Sequence, residues 1–503
     1  VASTGLSLIV KKDLKDALNK LDIPKFPVVF STNISGMELL MMLYAYAGEE
    51  RSDISQIRGD INFDPLGFLG ENGELGAPPD HYYKKMALMI KWVKGKGVNM
   101  RIAGVSVLPY HNAGASAVQE LAIALSTGVE YIDAMKSSGI PPSESAARIS
   151  FKFGVRSDLF MEIAKLRAGR ILWNRILEEY GVREEDREYF VHAETSMFNQ
   201  SGLDPYVNML RITTETFSAV TGGADRITTN PFDYTFKDSG TFSRRVARNV
   251  QVVLKEESHL HKLIDPSGGS YFVEKLTSDL SEKVWEFFLE IEREGGVQKT
   301  LENGFLRKRI AAGKEKLEQL IAERKKILIG TNNYGNPDEN IDVEAGIDDV
   351  LLYSQRNEEL KKYKEGMKGK REEIEFQRIK EAFKNSDHDV LDKGADMFTS
   401  GSTIGEITSV LKNGGEPFSI KGNALDISRL PEKMESLRES VNKMKKDPKI
   451  SSEITIAVNE PFVKIKPRGD FSKSFFETGG LKSRMIRLSG TQVEKANQII
   501  EAG

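Results

Sequence analysis

The chain of 503 residues contains no cysteine. That absence removes disulfides, thiolate-bound metals, iron–sulfur clusters and cysteine nucleophiles together, and it fits a reducing, cytoplasmic setting. A surplus of positive charge is also missing. The 71 Lys plus Arg face 74 Asp plus Glu, a net charge of −3, so nothing favours a phosphate backbone and nucleic acid is not an expected partner. No apolar run approaches the roughly 20 residues that cross a bilayer, and no membrane association is expected. The sequence has no G-x-S-x-G elbow, no G-x-x-x-x-G-K-[ST] loop and no D-x-D-x-D-G loop, which leaves the common hydrolase, nucleotide and calcium readings without support. Its start, Val1-Ala2-Ser3-Thr4-Gly5, has neither Met nor a signal-peptide pattern; it reads as cut from something longer.

What is present is enough apolar residue, 39%, for a substantial core. The length calls for two or more domains, unless a barrel of about 250 residues takes half of it. Strand patterns at Gly5–Val10, Pro27–Asn33, Ile57–Phe63, Asn99–Pro109, Ala147–Gly154, Tyr189–Thr195 and Ala224–Asn230 are each followed by helical periodicity. Capping boxes are read at Ser35/Glu38 and Ser116/Gln119. Seven consecutive β-then-α units predict a parallel sheet closed by helices. The expected class is therefore α/β, a (β/α)8 TIM barrel over residues 1–330 whose first strand lies upstream of Val1. Residues 331–450, with the charge-laden stretch 355–385, are expected to form a helical interdomain belt with a solvated face. Residues 451–503 read as the start of a truncated α/β domain, since some fifty residues fall short of the ~100 of a doubly wound one.

Barrels work at the C-terminal ends of their strands. Here those ends offer Asn33, Asn62, Asp64, Pro109, Tyr110, His111, His192, Glu194, Thr195, Ser196, Thr228, Thr229 and Asn230. No acid/base pair follows from spacing alone. His259 and His261 have the i, i+2 spacing of one strand face but fall at a predicted helix end with no third His near, so no metal site is expected. Asp265-Pro-Ser-Gly-Gly-Ser270 reads as a tight turn.

Several strings, taken together and in order, resemble the methylmalonyl-CoA mutase family: Tyr110-His-Asn-Ala-Gly-Ala-Ser-Ala-Val-Gln-Glu-Leu-Ala122, Phe160-Met-Glu-Ile-Ala-Lys-Leu-Arg-Ala-Gly-Arg-Ile-Leu-Trp173, Phe242-Ser-Arg-Arg-Val-Ala-Arg-Asn-Val-Gln251 and Ile264-Asp-Pro-Ser-Gly-Gly-Ser270. The resemblance runs from about Gly5 to Val343 and weakens beyond. It implies an adenosylcobalamin-dependent radical isomerase that interconverts methylmalonyl-CoA and succinyl-CoA in propionate metabolism. The implied fold is a barrel threaded by the CoA chain, followed by a flavodoxin-like cobalamin domain, so 451–503 would be a partial, degenerate version of the latter.

Carried over residue by residue, the family's chemistry is lost. Its active-site His falls on Pro109, the Arg that clamps the substrate carboxylate on Asn72, and the strand-four Gln on Asn62. His111 follows a Tyr as the family's His does but sits two places later, about 6.6 Å further along a continued strand, and is expected to be structural or at the surface. The family's cobalt-ligating His in an Asp-x-His-x-x-Gly loop has no counterpart, since no His lies between Asp389 and Gly503. The resemblance thus implies the small (beta) subunit of a heterodimeric methylmalonyl-CoA mutase, with no catalytic residues of its own. It would stabilise a catalytic large (alpha) subunit that holds the acyl-CoA and the adenosylcobalamin. Should an acyl-CoA enter this barrel, His111, His192, Glu194, Thr195 and Asn230 are the expected contacts. The alternative is an active acyl-CoA mutase of altered substrate, with Asn62, Asn72 and His111 forming a new site and cobalamin supplied by another chain. A third reading is a barrel that binds CoA without turnover.

Overall fold

The computed structural model describes residues 5–50, 52–339, 349–367, 373–412, 417–419, 424–447 and 453–502. Six strands form one sheet in chain order, all parallel: β1 (Val28–Val29), β2 (Arg58–Phe63), β3 (Asn99–Ser106), β4 (Ile149–Val155), β5 (Val191–Thr195) and β6 (Arg226–Thr228). In a flat sheet β2 and β6 would lie about 19 Å apart. Instead Arg226 on β6 forms an ion pair with the fully buried Asp60 on β2, so the sheet curls into an open, TIM-like part-barrel. Parallel neighbours in chain order need a crossover after each strand, and the intervening helices supply it.

The count of seven units is corrected to six. Gly5–Val10 forms no strand. The Ile9 and Val10 amides donate to the Asp13 carboxylate at 2.8 and 2.9 Å, which caps helix α1 (Lys11–Leu18) and leaves these donors no sheet partner. The strand expected over Asn99–Pro109 also ends early. It stops at Ser106, and residues Leu108–Asn112 turn into a short helix with Pro109 in its first turn, where a missing N–H costs nothing.

Helix α2 (Gly36–Glu49) is apolar on almost every face and correspondingly buried. The capping box expected at its start is absent. Ser35 makes no side-chain cap, and Glu38 is turned inward to Lys85 at 2.6 Å. The cover over α2 comes from the region expected to be a solvated belt. Helix α3 (Val390–Thr399) packs against it so closely that a Cβ on Gly394 would stand 2.3 Å from Met41 Sδ. Ile379, Ala382 and Phe383 in the charge-laden stretch, together with Ile407 and Leu411, belong to the same continuous core as the barrel. The solvated reading of 355–385 holds for its first part only, where no residue of 355–366 is buried.

Residues 453–502 make a β-α-β-α unit: β7 (Glu453–Val458), a helix at Phe462–Thr478, β8 (Lys482–Arg487) and a last helix at Gln492–Glu501. Its two strands are parallel and in register from Glu453/Lys482 to Val458/Arg487. The buried Arg438 ties it to what precedes, donating to Thr478 O at 3.1 Å and to Asn336 O at 2.7 Å. No helix among the described residues is long and apolar enough to cross a membrane.

Candidate functional site

Two polar clusters occupy the central strands and the loops that follow them. The first, running from the middle of β4 and β5 to the end of β6, gathers five of the residues singled out from sequence. On β5, His192 and Glu194 share a face by strand alternation. His192 Nε2 lies 2.8 Å from Thr228 Oγ1 on β6, while its buried Nδ1 has no partner. Glu194 pairs with Lys152 at 2.7 Å and accepts from Asn230 Nδ2 at 3.0 Å. Thr195 Oγ1 accepts from the Asn230 amide at 2.8 Å. Burial, reinforced by Lys152, pushes the His192 imidazole down to about 3. The same burial works to raise the Glu194 carboxyl, yet Lys152 and the Asn230 amide outweigh it and hold it below its ordinary value.

The second cluster surrounds the expected His111, which is neither on a continued strand nor at the surface. The short helix carries it inward to full burial. Gly154 on β4 makes room, since a Cβ there would meet the His111 ring at 2.4 Å. His111 Nδ1 lies 2.8 Å from Glu120 Oε1 and Nε2 lies 2.7 Å from Ser196 Oγ. Burial pushes the ring down to about 4 against the pull of Glu120, so it is neutral near pH 7. Glu120 can only accept, which assigns the ring proton to Nδ1 and makes Nε2 the acceptor of the Ser196 hydroxyl. Ser196 Oγ accepts in turn from the Phe198 amide at 3.1 Å.

Around this chain lies a buried ion network. Lys165 Nζ donates to Glu120 Oε2 at 2.8 Å, lies 2.6 Å from Glu162 Oε2 and donates to Gly154 O at 2.7 Å. Burial alone would raise the Glu120 carboxyl, but Lys165, His111 and Arg156 hold it down to about 2. Glu215 accepts from Asn199 Nδ2 at 2.8 Å and from the Ser196 amide at 3.2 Å, and burial nevertheless pushes it up to about 8. The order Ser196–His111–Glu120 has the connectivity of a hydrolytic triad. All three are buried to within 1%, and Ser196 presents no hydroxyl to a substrate.

The other sequence-read positions do not join either cluster. Asn62 sits at positive φ in the irregular stretch of β2 between Asp60 and Phe63, and Gly104 leaves it space, a Cβ there falling 2.8 Å from Asn62 Cα. Its amide is fully engaged, donating to Phe30 O at 2.9 Å and accepting from Ser150 Oγ at 2.9 Å. Pro109 is buried in the short helix. Asn72 is exposed at the end of the helix Pro65–Asn72 and donates to Phe68 O. Asp64 is pushed up to about 6 by burial against the Tyr131 hydroxyl, 2.5 Å away, and the Gly67 and Ser106 amides. His259 and His261 are exposed in a loop, and the described residues contain no group of three His, Asp or Glu arranged to hold a metal ion.

Glu120, Lys165, Glu162, Glu215 and Lys152 were missed from sequence. A signal existed for two of them. Glu120 in AVQELAIALS and Lys165 in MEIAKLRAG sit on helix faces otherwise filled by apolar residues, where an ionised group needs a partner.

Comparison with known proteins adds to this geometry. The family model described as methylmalonyl-CoA mutase matches residues 1–416. The chain is 40% identical over 301 residues to the methylmalonyl-CoA mutase small subunit of Porphyromonas gingivalis, covering 59% of this chain and 48% of that protein. It is 39% identical over 295 residues to the small subunit of Streptomyces virginiae, covering 59% and 47%. It is 32% identical over 365 residues to the methylmalonyl-CoA mutase of Escherichia coli, covering 72% and 50%. The chain spans about half the length of the curated relatives it matches.

Proposed function

The chain belongs to the methylmalonyl-CoA mutase family, and from that premise we propose that it is the small subunit of such a mutase, catalytically silent, and that it stabilises a large catalytic subunit. The observation that carries this reading is the state of the three positions where the family's active site would stand. Asn62 has its amide engaged on both sides by the barrel itself, Pro109 has no donor to offer a thioester oxygen, and Asn72 faces solvent with no charge to clamp a carboxylate. The names of the two small-subunit relatives support the same assignment.

Adenosylcobalamin, which the family implies, does not fit the residues present as a protein-ligated cofactor. After β7 the chain runs through Asn459-Glu460-Pro461 directly into helix, and the residues between Asp389 and Gly503 offer no imidazole to a cobalt ion. In this reading the cofactor and the acyl-CoA belong to the partner. The β-α-β-α unit at 453–502 serves in this reading as a degenerate counterpart of a flavodoxin-like domain, in a cytoplasmic heterodimer.

Binding only the folded partner would stabilise it by mass action. The test measures turnover of methylmalonyl-CoA with excess adenosylcobalamin by this chain, by a large subunit and by both, together with the thermal midpoint of the large subunit. No turnover by this chain and a raised midpoint in the mixture are expected; turnover by this chain alone overturns the proposal.

A further inference from the structure

Beside β6, the last strand of the sheet, a cavity of about 820 Å³ opens between that strand, the helix Val207–Thr221 and the helix Thr241–Glu256. It shares Thr228 and Asn230 with the first cluster, and the rest of its wall takes part in nothing described so far. Val220, Ile227, Ala247, Leu254 and Leu260 give it an apolar lining. Its size is that of a small-molecule site.

The opposite wall is cationic. Arg244, Arg248, Gln251 and Lys255 follow one another at i, i+4, i+7 and i+11, a single stripe of the helix, and all four line the cavity. Two of them show which way the stripe points. Arg244 Nε donates to Ser239 O at 2.9 Å, and Gln251 Nε2 donates to Thr229 Oγ1 at 3.1 Å; both acceptors belong to residues of the same cavity. Arg248 stands between them on the stripe and, like Arg244, is exposed.

The chain supplies this wall with no counter-charge. No Asp or Glu occurs from Thr241 to Lys255, and none is among the described residues that line the cavity. The acids around it are engaged elsewhere or turned to water. Glu194 pairs with Lys152 at 2.7 Å, Asp225 faces Arg170 at 3.9 Å, and Glu256 pairs with Lys255 at 2.9 Å. Asp233 accepts from Ser239 Oγ at 2.8 Å and faces Lys237 at 3.9 Å, while Asp238 and Glu257 are exposed. Among the described residues, neither Arg244 nor Arg248 has a carboxylate at ion-pair distance, and two like charges one turn apart repel each other. Two neighbouring guanidinium groups beside an apolar space match an anion that carries two charges and an apolar body.

We propose that this cavity binds a small organic phosphate, a dianionic phosphomonoester whose phosphoryl oxygens meet Arg244 and Arg248 and whose apolar body lies against Ile227, Leu254 and Leu260. Side chains one turn apart stand about 5–6 Å from each other at Cβ, so both guanidinium forks reach the oxygens of one phosphoryl group. A carboxylate or a sulfate ester answers only one of the two charges. The site stands whether or not the chain is a mutase subunit.

Calorimetric titration of the full chain at about pH 7.5, where a phosphomonoester is dianionic, decides it with 1-naphthyl phosphate, 1-naphthyl sulfate, inorganic phosphate and 1-naphthol. The aryl phosphate binds most tightly. The sulfate ester, of similar shape and half the charge, binds about tenfold more weakly, inorganic phosphate about tenfold more weakly for want of the ring, and 1-naphthol not detectably. Arg244→Met and Arg248→Met each remove the preference for phosphate over sulfate and keep the thermal midpoint, because both side chains are exposed. Arg245→Met takes the same charge from the same helix but off the stripe, and leaves the affinity within about twofold. Flotation with vesicles of equimolar phosphatidylcholine and phosphatidate leaves the chain unbound. No binding of the aryl phosphate, equal binding of the sulfate ester, a loss at Arg245→Met as large as at Arg248→Met, or retention on the vesicles overturns the proposal.

Discussion

Each of the two strand-end clusters contains a histidine, at least one glutamate and a lysine, yet they are built to opposite ends. Around Glu120 the central groups are answered, since Lys165 has three oxygen partners within 2.8 Å and His111 uses both ring nitrogens, while Arg156 Nε and Asn199 Oδ1 are left without a partner. Around Glu194 the answers stop short, with His192 Nδ1 buried and unpaired. A buried network whose charges are paired holds one arrangement of helix and sheet, because any rearrangement would strand a charge. Ionisable residues at barrel strand ends are therefore not in themselves a catalytic signature.

The sharpest way to break the comparison is to strand a charge in the closed cluster. Lys165→Met leaves Glu162 buried without its cation and Glu120 with Arg156 alone, 3.5 Å away, and is expected to lower stability by about 3–5 kcal/mol, read from the denaturant midpoint at constant m-value. The double variant Lys165→Met with Glu120→Gln should recover part of that loss, since it removes one of the stranded charges with its partner. A single variant that loses less than 1 kcal/mol would show that the network does not hold the fold.

Proton linkage gives the next largest effect, of opposite sign at two groups. His111 is depressed from its ordinary value to about 4, so the folded state resists its protonation. That contribution is present above about pH 6.5 and is lost as pH falls toward 4, roughly 3 kcal/mol in all. Glu215 is raised to about 8. Its proton is kept in the folded state, so the stability it brings is complete below the unfolded carboxyl range near 4.5 and is lost as pH rises through 8. Glu215→Gln should therefore flatten the decline between pH 5 and 8 while changing little at pH 5. An unchanged slope in that variant would place the proton elsewhere.

Much of this was legible in sequence, and the failures have physical causes. The alternation of β and α segments was clear because apolar strands buried on both faces contrast with amphipathic helices, and the Ser116/Gln119 capping box is present as read, with reciprocal bonds of 2.9 and 3.3 Å. Ser35/Glu38 has the same spacing, but a distant lysine took the glutamate. Gly5–Val10 has strand composition, but an aspartate three residues on took its amides. His111 was placed along a strand that Pro109 had already ended. A partner or a backbone break decided each outcome: distant in sequence for Glu38, whose Lys85 lies 47 residues on, and close by at Asp13 and Pro109. The residues Glu194, Thr195 and Asn230 stand together because they follow one another on neighbouring strand ends, which local patterning places; the Glu120 network spans helix, strand and loop, which local patterning does not reach.

A smaller effect tests the open cluster. His192→Asn removes one hydrogen bond, to Thr228, and should cost about 1 kcal/mol, well below the loss at Lys165. A cost as large as that of Lys165→Met would mean that the two clusters do the same work.

The smallest expected effect bears most directly on function. Asn72 is exposed and bonds only within its own helix, so Asn72→Arg should change stability by less than about 0.5 kcal/mol. If the position were simply a degenerate clamp, restoring the guanidinium together with Pro109→His would restore turnover of methylmalonyl-CoA by this chain. The geometry argues otherwise: an arginine at 72 begins from the solvent side of a surface helix, and a histidine at 109 begins inside the short helix that has replaced the end of β3. The double variant is expected to stay silent in the presence of excess adenosylcobalamin, with its fold intact by circular dichroism. Turnover there would show that two side chains separate this barrel from catalysis, and would overturn both the backbone argument and the assignment of cobalamin to the partner.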